Sequence, residues 1–431
     1  MTCLIKMQLK IEKIINSGMG LAHYQGKTIF VPGTVEHELV EAEIVSDHRD
    51  YSVARLVDIL APSPHRVTPS CKYYLKCGGC AFQHVNYPEE LRIKKNLLIQ
   101  TFNRNGKIDL NNIDLNLVSS PCRYHYRRKF TVHFTQEHSC LKIGFNYPHT
   151  NKIIAIDKCL LAQEDINDVL LEIQSQGNFV NSAGNLSFSD QTGRMSIASF
   201  IQGIAVILEK ADDGLRERLE KVLLCVDQIK SVFYRRNHLG YCRDGLRKLN
   251  PRGIVDYEIT PTSFFQINQA VADKMLNDLK INIPLTKYLY DIYCGAGVIS
   301  LFLSELFEKI IGIDSDQRAV MDAAYNAMLM NKNNIKYYNL PDREITLKLL
   351  RENSTAVLDP PRSGLNSKLI KLIISKKIKY LVYISCNPAT QARDIDKLQK
   401  GGYRIAKVRG YDMFPLSPYL ESVVYLTYCG G

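Results

Sequence analysis

Four short motifs in the second half of the chain carry side chains able to do chemistry. They are Asp291-Ile292-Tyr293-Cys294-Gly295-Ala296-Gly297, Gly312-Ile313-Asp314, Asp359-Pro360-Pro361-Arg362 and Ser385-Cys386-Asn387-Pro388. Each closes a short apolar run that reads as a strand, so all four fall at strand C-terminal ends. In an open α/β sheet that edge is where ligands bind. The first motif opens a helix with small residues that let a ligand approach the backbone. Ser300 stands where a dinucleotide fingerprint needs its third glycine, which argues against a dehydrogenase. Asp314, 23 residues after Asp291, can accept bonds from ribose hydroxyls, and the pairing fits S-adenosylmethionine. Taken singly, Asp359-Pro360-Pro361 is also a rigid turn and Cys386 a small buried hydrophobe. Four equipped strand ends together define one site.

A second group lies near the N-terminus. Cys71, Cys77 and Cys80 put three thiols into ten residues with Gly78 and Gly79 between the last two, so that the backbone can wrap a metal closely. Four thiolates satisfy zinc as well as an iron-sulfur cluster, and ligand count does not choose between them. Cys122, Cys140 and Cys159 all remain candidates for a fourth ligand on spacing alone.

The elements that must position these groups follow from patterning. Residues 8 to 60 alternate in short runs broken by Gly18-Met19-Gly20 and Pro32-Gly33, the pattern of a small five-stranded β-barrel. The Pro- and Ser-rich stretch Ala61 to Ser70 reads as a linker. Residues 88 to 101 read as a helix with a proline start. Strand-like pieces dominate from about 122 to 255, and after Pro261 strands alternate with amphipathic helices, the doubly wound α/β pattern. Two closing strands with no helix between them predict an antiparallel hairpin at one sheet edge. The expected domains are therefore 1–60, 61–255 and 256–431, with the helical segment 88–120 able to pack on the last. A chain of 431 residues, 45% hydrophobic and 23% charged, can bury such cores. A net charge of +11 favours a polyanionic partner. With no 18-residue apolar stretch and no basic start before an apolar run, a cytoplasmic protein with no membrane partner is expected.

The segments DIYCGAG, DPPRSG, SCNPAT and MFPLSPYLES together resemble the RNA uracil-5-methyltransferase family. The likeness covers nearly the whole chain: residues 8 to 60 are similar to the TRAM RNA-binding barrel, and 71 to 80 resemble the family's iron-sulfur motif. The resemblance implies a Rossmann-like class I methyltransferase domain, S-adenosylmethionine, and a 4Fe-4S cluster on Cys71, Cys77, Cys80 and Cys159. It also implies cofactor contacts from Gln266, Tyr293, Asp314, Asn339 and Asp359, with Cys386 as nucleophile and Glu421 as general base. The chemistry agrees with these residue types. Carbon 5 of uracil is too weak a nucleophile to be methylated directly, so a thiolate must first add to carbon 6 and a base must later take the carbon 5 proton. Glu421 is the only acid between Asp412 and the C-terminus. The chain departs from the family at Val298, where relatives often carry a polar cofactor contact, and at Tyr419, where many carry histidine.

The implied substrate is a uridine of 23S ribosomal RNA, bound by a monomer, with no DNA partner; the T-loop uridine of transfer RNA is the alternative. Residues 122 to 152 carry Arg123, Arg127, Arg128, Lys129, Lys142 and Lys152, interleaved with Tyr124, Tyr126, Phe130, Phe134, Phe145 and Tyr147. Such alternation can grip phosphates and stack unpaired bases, and it is equally the pattern of strands with an aromatic core and a basic outer face. Two other classes compete. A non-catalytic RNA-binding or assembly protein would have no use for Cys386 and Glu421, and a radical enzyme would carry C-x3-C-x2-C, which this chain lacks.

Overall fold

The computed structural model of the chain describes residues 6–137, 140–148, 150–176, 192–211, 213–234, 240–242 and 248–430. Three sheets organise it. The first holds β1 (Lys6–Lys10), β2 (Lys13–Ile14), β3 (Gly20–Tyr24), β4 (Lys27–Val31), β5 (Leu39–Asp47) and β6 (Tyr51–Ala61), in the order β1-β5-β6-β4-β3-β2. Six strands appear rather than five because the first run bends at Ile11-Glu12. Ile11 N–H donates to the Glu38 carbonyl and Glu12 N–H to that of Leu21, so one segment pairs with β5 in its first half and β3 in its second. Alternation turns Met7, Leu9, Ile29, Val31, Val40 and Ala42 inward. The proline-rich segment that follows is not a free linker. Arg66 grips the buried Glu38 with two bonds of 2.6 Å and reaches the Gly33 carbonyl at 2.8 Å, clamping the segment onto the first sheet.

Helix α1 (Tyr87–Gly106) begins where Asn86 accepts from Glu89 N–H at 3.0 Å and Pro88 occupies the first turn, and it ends at Lys107 in the left-handed region. Strand β7 (Leu115–Val118) follows. The second sheet contains β8 (Lys129–Glu137), β9 (Cys140–Asn146), β10 (Ile153–Ala155), β11 (Thr192–Phe200), β12 (Gly203–Lys210), β13 (Ile229–Tyr234) and β14 (Gly240–Cys242), in the order β10-β9-β8-β11-β12-β13-β14. Two helices cover one face, α2 (Glu164–Gln176) through Ile166, Val169, Leu170 and Ile173, and α3 (Asp213–Cys225) through Leu215, Leu219 and Leu223. The other face is not a boundary. Ala198, Phe200, Ala205 and Ile207 belong to the same apolar core as Leu289, Val357 and Val382 of the third sheet.

In that third sheet α4 (Gln269–Asn282), β15 (Tyr288–Ile292), α5 (Val298–Phe302), β16 (Lys309–Asp314), α6 (Gln317–Leu329), β17 (Ile335–Asn339), β18 (Thr355–Leu358), α7 (Ser367–Lys376), β19 (Tyr380–Ser385), α8 (Pro388–Lys400), β20 (Tyr403–Tyr411) and β21 (Glu421–Tyr428) follow in sequence. The strand order is β17-β16-β15-β18-β19-β21-β20-β7. Strands β15 to β19 are parallel, and the chain reverses direction across the sheet between β15 and β18. The closing hairpin forms as the pattern predicts but does not end the sheet, because β7 pairs in parallel with β20 outside it. Helix α1 lies against α8. Gly106 permits the approach, since a Cβ there would stand 2.7 Å from the Ala392 carbonyl oxygen. Among the described residues no helix is long and apolar enough to cross a membrane.

One ion-pair network ties these pieces together. Lys94 of α1 is fully buried and donates to Glu90 at 2.8 Å, to Asp412 at 2.5 Å and to the Phe414 carbonyl at 3.1 Å. Glu90 also receives Arg123 and the N–H of Leu416, both at 2.6 Å, and Asp412 receives the Tyr87 hydroxyl at 2.8 Å. Removing one member leaves another charge buried and unpaired. Lys94→Met is expected to lower stability by about 3–5 kcal/mol, measured as a shifted urea midpoint with unchanged slope; an unmoved midpoint would show that the network contributes nothing.

Candidate active site

The strand order lines up the residues singled out from sequence. Asn339, Asp314, Tyr293, Asp359 and Cys386 stand at or just past the ends of β17, β16, β15, β18 and β19, in that spatial order along one edge. Glu421 joins them for a different reason. Strand β21 runs antiparallel to β19, with Ser385 opposite Ser422, so its first residue meets the C-terminal edge of the parallel strands one step beyond, beside Cys386. Hydrogen bonds hold this end: the Ser422 hydroxyl donates to the Ser385 carbonyl at 3.1 Å and to Gln391 Oε1 at 2.5 Å, while Gln391 Nε2 donates to the Tyr383 carbonyl at 2.8 Å.

A cleft of about 690 Å³ opens along this edge, lined by Gln266, Tyr293, Gly295, Asp314, Asp359, Cys386 and Glu421. Gly295 has a left-handed φ of 53°, and no atom lies within 4 Å of where its Cβ would be, so the turn leaves room against the backbone. Its N–H donates to Asp314 Oδ2 at 2.8 Å. Gly297 has a packing role instead, because a Cβ there would lie 2.4 Å from the Tyr337 hydroxyl. Asp291 faces away from the cleft and receives the Ser300 N–H at 3.0 Å and hydroxyl at 2.5 Å. The serine in place of a third glycine thus anchors the strand-to-helix turn. Tyr293, itself left-handed at φ 67°, donates its hydroxyl to Asp342 at 2.7 Å. Asn339 turns back to donate to the Asp314 carbonyl at 3.1 Å, and Leu340 and Pro341, not its side chain, face the cleft.

Several lining residues had no role from sequence, among them Asp342, Phe264 and Arg362. Asp342 sits in a short turn past β17, where an acid after a strand end was the available signal. Phe264 is 71% exposed at the cleft and adjoins Gln266 in the SFFQIN segment. Arg362, within the DPPR motif, lowers the proton affinity of the Cys386 thiol and lies 5.8 Å over the ring of Tyr419.

Burial and like charge make the acids here hold their protons more tightly. Desolvation first, and then Asp291 and Asp314, push the Asp359 carboxyl up to about 7. Glu421, 3% exposed, is raised well above the ordinary range by desolvation and by Asp359, with Arg362 opposing. Burial and Glu421 raise the Cys386 thiol, and the Arg362 guanidinium pulls it down. An acidic cleft with a half-buried thiol beside a strong base suits a cationic ligand and nucleophilic catalysis.

The cysteine motif lies elsewhere. Lys72 and Tyr73 bond the Asp157 carboxylate at 2.7 and 2.8 Å, which brings the Cys71–Cys80 loop to the segment carrying Cys159. Cys122 is exposed, and the side chain of Cys140 lies outside the described residues. Burial pushes Cys80 up to about 12 and raises Cys77 and Cys159, and Cys80 also feels Cys159, Cys77 and Cys71. Among the described residues no three Cys, His, Asp or Glu side chains are close enough together to chelate a single ion. Much of the basic and aromatic stripe is internal. Arg128 is 1% exposed and bonds Gln269 at 2.5 Å and the Gln266 carbonyl at 3.2 Å, Arg123 bonds Glu90, and Tyr126, Phe130 and Phe134 are core. Tyr147 and Lys152 remain exposed.

Residues 86–429 match the family model for tRNA (uracil-5-)-methyltransferases. The chain belongs to this family. Similar proteins include an uncharacterized RNA methyltransferase of Aquifex aeolicus, 30% identical over 97% of this chain and 98% of the relative, and one of Clostridium tetani, 30% identical over 98% and 96%. Among solved structures the fold is similar to that of Pyrococcus abyssi tRNA (uracil-54, C5)-methyltransferase in complex with S-adenosyl-L-homocysteine. That likeness has a TM-score of 0.73 at 25% identity and covers 98% of this chain and all of the other.

The raised carboxyl gives a sign to the pH dependence. Asp359 keeps its proton up to about 7 in the folded chain, against 3.8 for its ordinary value. The stability this confers is complete below the lower value and is lost as pH rises through the upper one. Asp359→Asn should flatten the fall in unfolding free energy between roughly pH 4 and 7, measured by urea titration at several pH values; the same slope in both proteins would refute the shift.

Proposed function

We propose that this chain uses S-adenosylmethionine to methylate carbon 5 of a uridine in RNA. The observation that carries the reading is the meeting of Cys386 and Glu421 across the β19–β21 pair, in one cleft with Gln266, Tyr293, Asp314 and Asp359. Room beside Gly295 and the acidic lining fit the cofactor, whose sulfonium and ammonium are cations. When bound, it supplies an electrophilic methyl group. Asp314 would hold the ribose hydroxyls and Gln266 and Tyr293 the amino-acid end, while Asn339 braces the Asp314 loop. Arg362 favours ionisation of Cys386. The thiolate adds to uracil carbon 6, its electron pair moving through the ring to make carbon 5 nucleophilic. After carbon 5 is methylated, Glu421 takes its hydrogen as a proton, and the returning electron pair expels the thiolate. Glu421 must enter that step as the carboxylate, and burial then gives it the proton affinity the step needs. Attack above the ring plane requires the uridine to be flipped from its stack.

We take 23S ribosomal RNA as the substrate, on the resemblance of SCNPATQARD and MFPLSPYLES to the ribosomal enzymes and of the first sheet to a TRAM module. The second reading, a transfer RNA T-loop, is favoured by the full-length likeness to the Pyrococcus enzyme, since accessory sheets alone then do not separate the two RNAs. Labelled methyl transfer to unmodified 23S RNA and to unmodified transfer RNA tests both; label in the T-loop alone would overturn the ribosomal choice and leave the chemistry standing. For the chemistry, 5-fluorouridine RNA should trap a denaturation-resistant complex with the native protein and not with Cys386→Ala, because fluorine does not leave as a cation. Glu421→Gln should accumulate adduct on ordinary RNA.

Cys71, Cys77, Cys80 and Cys159 fit a 4Fe-4S cluster better than a single ion. A four-iron cube separates its thiolates more widely than a single ion does, and the two segments that carry these cysteines are joined through Asp157. The cluster would staple the loop and takes no part in methyl transfer. Anaerobically prepared protein should contain iron and sulfide, which Cys159→Ser loses and Cys122→Ser and Cys140→Ser keep. Stoichiometric zinc without iron would refute the assignment.

A further inference from the structure

Behind the catalytic cysteine lies a second pocket of about 210 Å³, which shares Cys386 and Arg362 with the cleft and otherwise has different walls. We propose that it receives the nucleobase of a nucleotide flanking the target uridine, an inference that rests on the RNA methylation reading above. Leu97 and Leu98 of α1 supply apolar lining, and Tyr419, 52% exposed, lines the pocket with the Arg362 guanidinium 5.8 Å over its ring. Asn16, from the turn between β2 and β3, closes the rim with its carboxamide donating to Thr101 Oγ1 at 3.2 Å.

Size and chemistry select the occupant together. The volume is less than a third of that of the main cleft and suits one flat ring, not a second cofactor. An aromatic face beside a guanidinium is a stacking platform for an unpaired base, and an amide at the rim can bond a base edge. A phosphate fits poorly, because Arg362 is the only cation in the lining and the apolar side chains would desolvate the anion without replacing its hydrogen bonds. The shared Cys386 fixes the register. A base seated here lies next to the thiol that attacks the target, so it belongs to an adjacent nucleotide. Flipping the uridine into the cleft leaves its neighbour without a stacking partner, and this pocket replaces that partner. Asn16 brings the N-terminal sheet into the selection of sequence and not only into binding of the RNA backbone.

The test uses a hairpin RNA centred on the uridine the protein methylates, with each of the two positions on either side replaced singly by an abasic nucleotide. With native protein, one position should lower kcat/KM roughly tenfold or more. Tyr419→Ala should lose a similar factor on intact RNA and show no further loss at that position, while Tyr419→Phe keeps the native pattern. Asn16→Ala should change the ranking of the four bases there. Affinity for S-adenosylhomocysteine should be the same in all variants, since neither residue lines the main cleft, and this reports an intact fold. Abasic penalties equal in native and Tyr419→Ala proteins, or no sensitive position at all while methylation proceeds, would overturn the pocket assignment alone. Absence of methyl transfer to any uridine by the native protein would overturn the functional reading and this inference together.

Discussion

A lysine cation with no exposure to water must find anions, and much of the active-site architecture depends on where Lys94 finds them. Its partners, Glu90 and Asp412, lie far apart in sequence, so neutralising one charge fixes α1 against the segment that leads to Glu421. Glu90 goes on to hold the N–H of Leu416, a non-glycine residue at φ 66° that would not keep that conformation unaided. The Leu416 carbonyl in turn receives the N–H groups of Ala81 and Phe82. The cysteine loop, the first helix and the approach to Glu421 are thereby one hydrogen-bonded body. Burying ions in this way does little for net stability and a great deal for fixing a single arrangement, because each alternative strands a charge.

The reversal of one strand has the second largest effect. Parallel strands deliver only their C-terminal ends to a common edge. An antiparallel strand delivers its beginning instead. Glu421 therefore enters from a chain segment with no other duty at that edge and sits one register step from Cys386. Burial strips these carboxyls of water and, after that, the acids gathered there repel one another, which is why Asp359 and Glu421 hold protons so tightly.

What was legible in the sequence was local. Strand-end motifs such as DIYCGAG and SCNPAT place their side chains wherever the strands go, and α/β periodicity says where that is. The two helices of the second sheet were also written locally, in the spacing of Ile166, Val169, Leu170 and Ile173, yet the strand-rich surroundings concealed them. Groups defined by a distant partner were not legible. Nothing near Arg128 says that its guanidinium turns inward to carbonyls more than a hundred residues away, and so a basic stripe read as a surface is largely interior. Arg362 lacked a role for the same reason, since its partners Cys386 and Tyr419 reach it only through the sheet. The cofactor contacts and the fourth thiol came from resemblance; Gln266, Tyr293, Asp314 and Asp359 line the cleft, the side chain of Asn339 does not, and Cys159 lies on the segment that Asp157 joins to the cysteine loop.

Strand β7 completes the third sheet although it precedes the second sheet in the chain, pairing with β20, which begins only at Tyr403. During synthesis, α1 and β7 must therefore wait, apolar side chains exposed, until almost the whole polypeptide has left the ribosome. A fragment cut at the start of α4 would keep every strand-end motif and still expose the open edge of β20 and the face of α8 that α1 covers, an invitation to pair with other chains. The third sheet with its covering helix thus draws on residues from α1 onward, and the second sheet lies between them in the chain.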